Sequence, residues 1–100
     1  MQFLILAHDA KDPDALNRRM AVREAHLALI ECYKAKGHMH MGAALLDDEG
    51  KMMGSTLIVE FSDRAGLDAW LAEEPFVTHK IWADIQITPC KIAPPYLKKS

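Results

Sequence analysis

Two stretches limit what this chain can become more than any others: "QFLILA" (2–7) and "STLIVEF" (55–61). The first is a continuous apolar run of strand length and the second is strongly apolar in its middle; polar or turn-forming residues bound both. Such a run fits a strand covered on its faces, so both are expected at the centre of a sheet.

Each run leads into a segment of helical pattern. "HDAKDPDA" (8–15) supplies turn formers and Pro13, with Asp12 or Asp14 placed to cap a helix. That helix is expected to reach about Lys36 and to stop at Gly37, the residue type that best takes the left-handed position after a helix. After the second run, "SDRAGLDAWLAEE" (62–74) offers Ser62 or Asp63 as cap, with Leu67, Trp70 and Leu71 at helical spacing. Pro75 should end or kink this helix.

Two weaker strands complete the pattern. "HMHMGAALL" (38–46) is more polar and reads as an edge strand, joined to the third strand by a hairpin loop, "DDEGKMMG" (47–54), that turns at Gly50. "IWADIQITP" (81–89) alternates Ile81, Ala83, Ile85 and Ile87 against Trp82, Asp84, Gln86 and Thr88, as a half-buried strand does. The last ten residues (91–100), with adjacent prolines, should form an irregular tail.

The order β-α-β-β-α-β predicts an α+β, ferredoxin-like fold: one domain over residues 1–100, with two helices on one face of a four-stranded antiparallel sheet. One face is then left over, although "FLILA" (3–7) and "LIVEF" (57–61) carry apolar residues on both faces. A second copy, packed sheet on sheet, is the expected cover, because a monomer rarely leaves a large apolar patch in water.

Composition narrows the function classes. A net charge of −2 does not suit a nucleic-acid partner, which calls for a basic face. No apolar run approaches ~18 residues, so no membrane-spanning helix is expected. The opening "MQFLILAHDAKD" has no basic segment ahead of a long apolar one and does not read as a secretion signal. Cys32 and Cys90 are too few for a disulfide framework, and a reducing cytoplasm is the expected compartment.

Chemistry concentrates on the first helix. On a helical wheel His26 falls among Val22, Leu29, Ile30 and Tyr33, in the apolar sector, with Arg19 and Arg23 along one flank. The topology gathers Asp9, the first half of this helix and Glu74 toward one end of the domain. A carboxylate that fixes an imidazole tautomer and supports its charged form is the basic unit of general acid–base catalysis. The competing reading is a core histidine satisfied by one hydrogen bond. Arg19 and Arg23 could clamp an anion beside the imidazole, or lie as solvated flanks with their stems over apolar neighbours.

Other residues carry less. His38 and His40 would share one strand face, but a metal site needs three or four converging groups, and none is expected. Ser55, at the head of the third strand, could contact a ligand; without a G-x-S-x-G elbow around it, a nucleophile role is not expected.

Taken together, Arg19-x3-Arg23-x2-His26-Leu27, Gly42 with "LLDDEGKMMGS", "EEPFV" and "ITPCK" resemble the YciI-like (YCII-related domain) family, from about Phe3 to Lys91. The resemblance implies pairing of the ferredoxin-like fold into a dimeric α+β barrel. It also implies a histidine–aspartate pair near the subunit interface, whose histidine falls on His26. Where the family commonly reads Asp-Pro-Phe or Asp-Pro-Tyr, this chain has Glu74-Pro75-Phe76; its Gly-Pro is Gly42-Ala43, and a glycine usual before the last strand is Lys80. Asp9, at the acidic position after the first strand, is the alternative partner for His26.

Family members of known reaction include an aromatic-ring dehydrochlorinase, and related barrels include muconolactone isomerases. The resemblance therefore implies acid–base chemistry, of isomerase or lyase type, on a small organic molecule with no cofactor. His26 would move the proton, Glu74 or Asp9 would orient it, and Arg19, Arg23 and Ser55 would contact the substrate. A non-catalytic ligand-binding or interaction module on the same fold is the second reading, and a cofactor-free monooxygenase the third.

Overall fold

The computed structural model describes residues 1–97. Its elements are β1 (Gln2–Asp9), α1 (Ala15–Ala35), β2 (Met39–Leu46), β3 (Met52–Glu60), α2 (Arg64–Glu73), α3 (Pro75–Thr78) and β4 (Trp82–Cys90), then a 3-10 turn at Pro94–Tyr96. The strands form one antiparallel sheet in the order β2-β3-β1-β4. This is the ferredoxin-like arrangement expected from the sequence, with the two apolar runs at its centre.

The core lies between the sheet and the helices. Phe3, Ile5 and Ala7 of β1 and Leu57 and Val59 of β3 point into it, against Leu67 and Trp70 of α2 and Phe76 of α3. Within one copy, β1 is therefore buried on one face only: Ile5 is fully covered, while its neighbour Leu4 remains 36% exposed. The opposite sheet face pairs Leu4 with Ile58 and Leu6 with Thr56 at its centre.

Helix α1 contributes unusual core residues. The two side chains it buries are Arg19 and His26, while Val22, Leu29, Ile30 and Tyr33 pack only half-buried at the core's margin. The apolar sector therefore straddles a polar layer instead of sealing a dry one.

The structure departs from the sequence reading at several points. Asp63 caps α2 by accepting from the Gly66 amide at 2.9 Å. At the head of α1, however, Asp14 makes no side-chain cap, and Asp12 binds Arg18 instead, with contacts of 2.7 and 2.6 Å. The hairpin loop is shorter than expected, because β3 begins at Met52 and takes in Gly54. A Cβ at Gly54 would press into the Ala7 carbonyl oxygen, so only glycine lets β3 lie this close to β1.

Pro75 starts an element as well as ending one. It is the first residue of α3, a position where its missing N–H loses nothing, and Glu74 caps it with a bond from the Phe76 amide at 3.2 Å. Lys80, where the resemblance places glycine, adopts a left-handed backbone with φ 56°. A side chain there costs on the order of 1 kcal/mol relative to glycine.

The alternation read into β4 also breaks. Asp9 pairs with Trp82 but His8 with Asp84, so Ala83 is an extra residue in the ladder. The bulge turns Trp82 to the same face as Ile85 and Ile87, where it is buried to 5% exposure. In the tail, the Ile92 amide reaches Gln2 at 2.6 Å; the terminal Lys98, Lys99 and Ser100 lie outside the described residues.

Candidate functional site

A cleft of about 460 Å³ runs between α1 and the β2–β3 side of the sheet. Helix α1 supplies Arg19, Arg23, His26, Leu27 and Ile30; the strands supply Met39 to Ala44, Ser55 and Leu57, and Phe76 closes one side. The polar pair buried under α1 thus borders a space that a small molecule can enter.

His26 is held on three sides. Its Nδ1 bonds Glu74 Oε1, its ring stacks on Phe76 with centroids 4.0 Å apart and planes at 11°, and Trp82 meets it edge-on at 6.1 Å. Local sequence places the carboxylate: Glu74 is the hinge between α2 and α3, and Pro75 sets the turn that aims its side chain inward. Glu74 is fully buried, and its Oε2 meets no donor among the described residues. A carboxylate accepts, so Nδ1 carries the proton and donates, which leaves Nε2 without a hydrogen-bond partner among the described residues. Taking a carboxylate out of water costs several kcal/mol, so the imidazole Nδ1–H and the Phe76 amide are needed to hold Glu74 there.

A second polar chain runs beside the first. Arg19 Nη1 donates to both Asp9 oxygens at 3.0 and 3.1 Å, and its Nη2 donates to Ser55 Oγ at 2.8 Å. Trp82 Nε1–H donates to the same hydroxyl at 3.2 Å. The Arg19 guanidinium also lies over Phe76, 4.6 Å from the ring centroid, so one aromatic ring supports both the imidazole and the arginine. Asp9, Arg19 and Ser55 are all buried, at 6%, 3% and 4% exposure.

The structure thus sorts the residues singled out in the sequence. His26 and Glu74 meet directly. Asp9, the alternative partner, is taken by Arg19 instead, because the end of β1 faces the first turns of α1 and not its middle. Arg19 is already paired with that carboxylate, so the cations at the cleft that form no ion pair among the described residues are Arg23 and Lys34; Glu31 is the one acid on its wall.

Sequence patterning does not point to Phe76 or Trp82 as site residues. Phe76 had a signal in its place after Glu74-Pro75. Trp82 had none, since the bulge that turns it inward leaves no trace in the alternation of β4. His38 and His40 engage different oxygens of Glu60: His38 Nδ1 bonds its backbone carbonyl at 2.8 Å, and His40 Nε2 bonds its carboxylate at 2.6 Å. Hydrogen bonds from His40 and Gln2 hold the Glu60 carboxyl below its ordinary range. Among the described residues, no three His, Cys, Asp or Glu side chains converge as metal ligands, and no helix is long and apolar enough to cross a membrane.

Comparison with known proteins agrees with this architecture. The YCII-related domain family matches residues 1–91. An uncharacterised protein of Haemophilus influenzae is 32% identical over 97 residues, covering 91% of this chain and 97% of the relative. Protein YciI of Escherichia coli is 31% identical with the same coverage. Among solved structures, 5-chloro-2-hydroxyhydroquinone dehydrochlorinase from Burkholderia phenoliruptrix, in complex with 2,5-dihydroxybenzoquinone, superposes with a TM-score of 0.79 at 28% identity, covering 93% of this chain and 96% of that one. A Mycobacterium tuberculosis protein (TM-score 0.58, 14% identity, 94% and 99% coverage) and an antibiotic biosynthesis monooxygenase (0.56, 23%, 94% and 100%) share the fold.

Proposed function

This chain belongs to the YCII-related domain family, and from that premise we propose that it is an acid–base enzyme of the isomerase or lyase type, with His26 as the proton-transfer group. One observation carries the reading. His26 has its Nδ1 bound to a fully buried carboxylate while its ring lines a cleft of small-molecule size. Glu74 fixes the tautomer and offsets the charge that develops when Nε2 takes a proton. Phe76 stops the ring from rotating away. A proton removed from carbon would be held at Nε2 and returned elsewhere on the substrate (isomerisation), or the electron pair it left behind would form a double bond and expel a leaving group as its anion, the proton then passing from Nε2 to solvent (lyase). Arg23 supplies positive charge for an anionic substrate at the cleft.

The dehydrochlorinase neighbour supports a small oxygenated ring as the class of substrate to try first. In deuterated water, ring-proton exchange of 2,5-dihydroxybenzoquinone and of a panel of small phenols and enols reports proton transfer at carbon. The wild type should accelerate exchange of at least one of them, with His26→Gln slower by about 10²-fold or more. Exchange no faster than in buffer across the panel would overturn the enzyme reading in favour of a non-catalytic binding module.

The protein works as a homodimer in this proposal, with the open sheet faces of two copies packed together over Leu4, Leu6 and Ile58. A reducing cytoplasm fits its two free thiols, Cys32 and Cys90.

A further inference from the structure

The arrangement around Ser55 has a chemical consequence of its own. A serine hydroxyl has two lone pairs and one hydrogen. Arg19 Nη2 and Trp82 Nε1 are donors only, and both point at Ser55 Oγ, at 2.8 and 3.2 Å. Both lone pairs are thereby filled, so the hydroxyl can act only as a donor. Among the described residues Ser55 donates its hydrogen to no carbonyl or carboxylate. The side chain is 4% exposed, and what exposure it has opens on the cleft.

We propose that Ser55 is a specificity-determining donor that seats an anionic oxygen, a phenolate or enolate, of a flat ring bound in the cleft. This deepens the acid–base reading above and rests on it for the identity of the site. Three features favour an anion over a neutral acceptor. The donor is charge-assisted, because the cation behind it polarises the hydroxyl. Arg23 and Lys34 line the same cleft without ion-pair partners among the described residues, against the single acid Glu31. The rest of the wall, including Leu27, Ile30, Met39 and Phe76, is apolar and suits a ring face. Since the Ser55 hydrogen is committed before the ligand arrives, the oxygen meets a donor that needs no reorganisation.

Calorimetric titration with 4-nitrophenolate, and with nitrobenzene as the probe lacking that oxygen, tests the assignment. The wild type should bind 4-nitrophenolate more tightly than nitrobenzene. Ser55→Ala should weaken 4-nitrophenolate about tenfold or more and leave nitrobenzene within about twofold. Ser55→Thr, which keeps the hydroxyl, should retain most of the discrimination. If Ser55→Ala does not fold, Ser55→Cys replaces it: the weak thiol donor should lose the discrimination in the same direction.

A wild type that binds 4-nitrophenolate no better than nitrobenzene overturns the proposal. So does equal weakening of both probes in Ser55→Ala, which would mean that the hydroxyl only holds Arg19 and Trp82 in place. Binding discrimination and ring-proton exchange are separate readouts. Exchange lost in His26→Gln with discrimination unchanged in Ser55→Ala overturns the Ser55 assignment alone; absent exchange with the predicted discrimination overturns the enzyme reading alone.

Discussion

Among single residues, the most demanding is Glu74, a carboxylate with no solvent exposure and one oxygen without a partner among the described residues. Its side-chain partner there is His26, and removing one member of a buried pair is far more damaging than replacing both. His26→Ala should therefore cost about 3–5 kcal/mol of folding stability. Glu74→Gln should cost less, because an amide oxygen can still accept from the Phe76 amide. The double variant should be less destabilised than the sum of the two by at least about 1 kcal/mol, measured by urea denaturation. Strict additivity of the two single variants would mean that the pair stabilises nothing through its contact. Arg19 differs from Glu74 in that Asp9, Ser55 and Phe76 satisfy most of its guanidinium, and only Nε lacks a partner among the described residues.

Between elements, the site depends on α1 lying against the α2–α3 corner, and a hydrogen bond outside the cleft ties them. The Tyr33 hydroxyl, near the end of α1, donates to Glu73 at the end of α2. That bond, then burial, then the Glu73 charge push the Tyr33 phenol up from its ordinary 10.0 to about 12. The folded state thus holds the proton more tightly than the unfolded chain does. Its contribution to stability is fully present below about pH 10 and is lost as pH rises through about 12. In a Tyr96→Phe background, phenolate absorbance should titrate near that upper value in the wild type and move down toward 10 in Glu73→Gln. A Glu73→Gln profile that coincides with the wild type would rule out the contact as the cause. The β4 bulge is the other decisive device at this scale, since it supplies Trp82 both to the His26 ring and to Ser55.

For the whole molecule, the fold accounts for one face of the sheet and leaves the other unused. Leu4 and Leu6 stand opposite Ile58 and Thr56 there, with Gln2 and Glu60 paired at one end. Apolar side chains in the middle and polar ones at the margin make up the usual anatomy of an interface between copies. Sedimentation at micromolar concentration should give about twice the chain mass of 11.2 kDa, and Leu4→Glu or Ile58→Glu should halve it. A wild type that sediments as a single monomeric species would remove the dimer from the proposal.

The sequence alone determined the element order, the central placement of the two apolar runs and the inward face of α1, because each depends on local periodicity and on burial of apolar surface. "QFLILA" and "STLIVEF" bury most apolar surface at the centre of a sheet, and the helical period keeps His26 in the sector shared with Val22, Leu29 and Ile30. It also brought Glu74 into view, through the residues around Pro75. Only the tertiary structure decided which side chains meet. The choice between Glu74 and Asp9 rests on which part of α1 each of them faces, His26 or Arg19, about two helical turns apart. The inward turn of Trp82 rests on one extra residue in a ladder, and the donor-only state of Ser55 on two donors 27 and 36 positions away in the chain. Periodicity reports which face a side chain takes; the partner waiting there is set by contacts between distant segments, and those form only when the chain is packed.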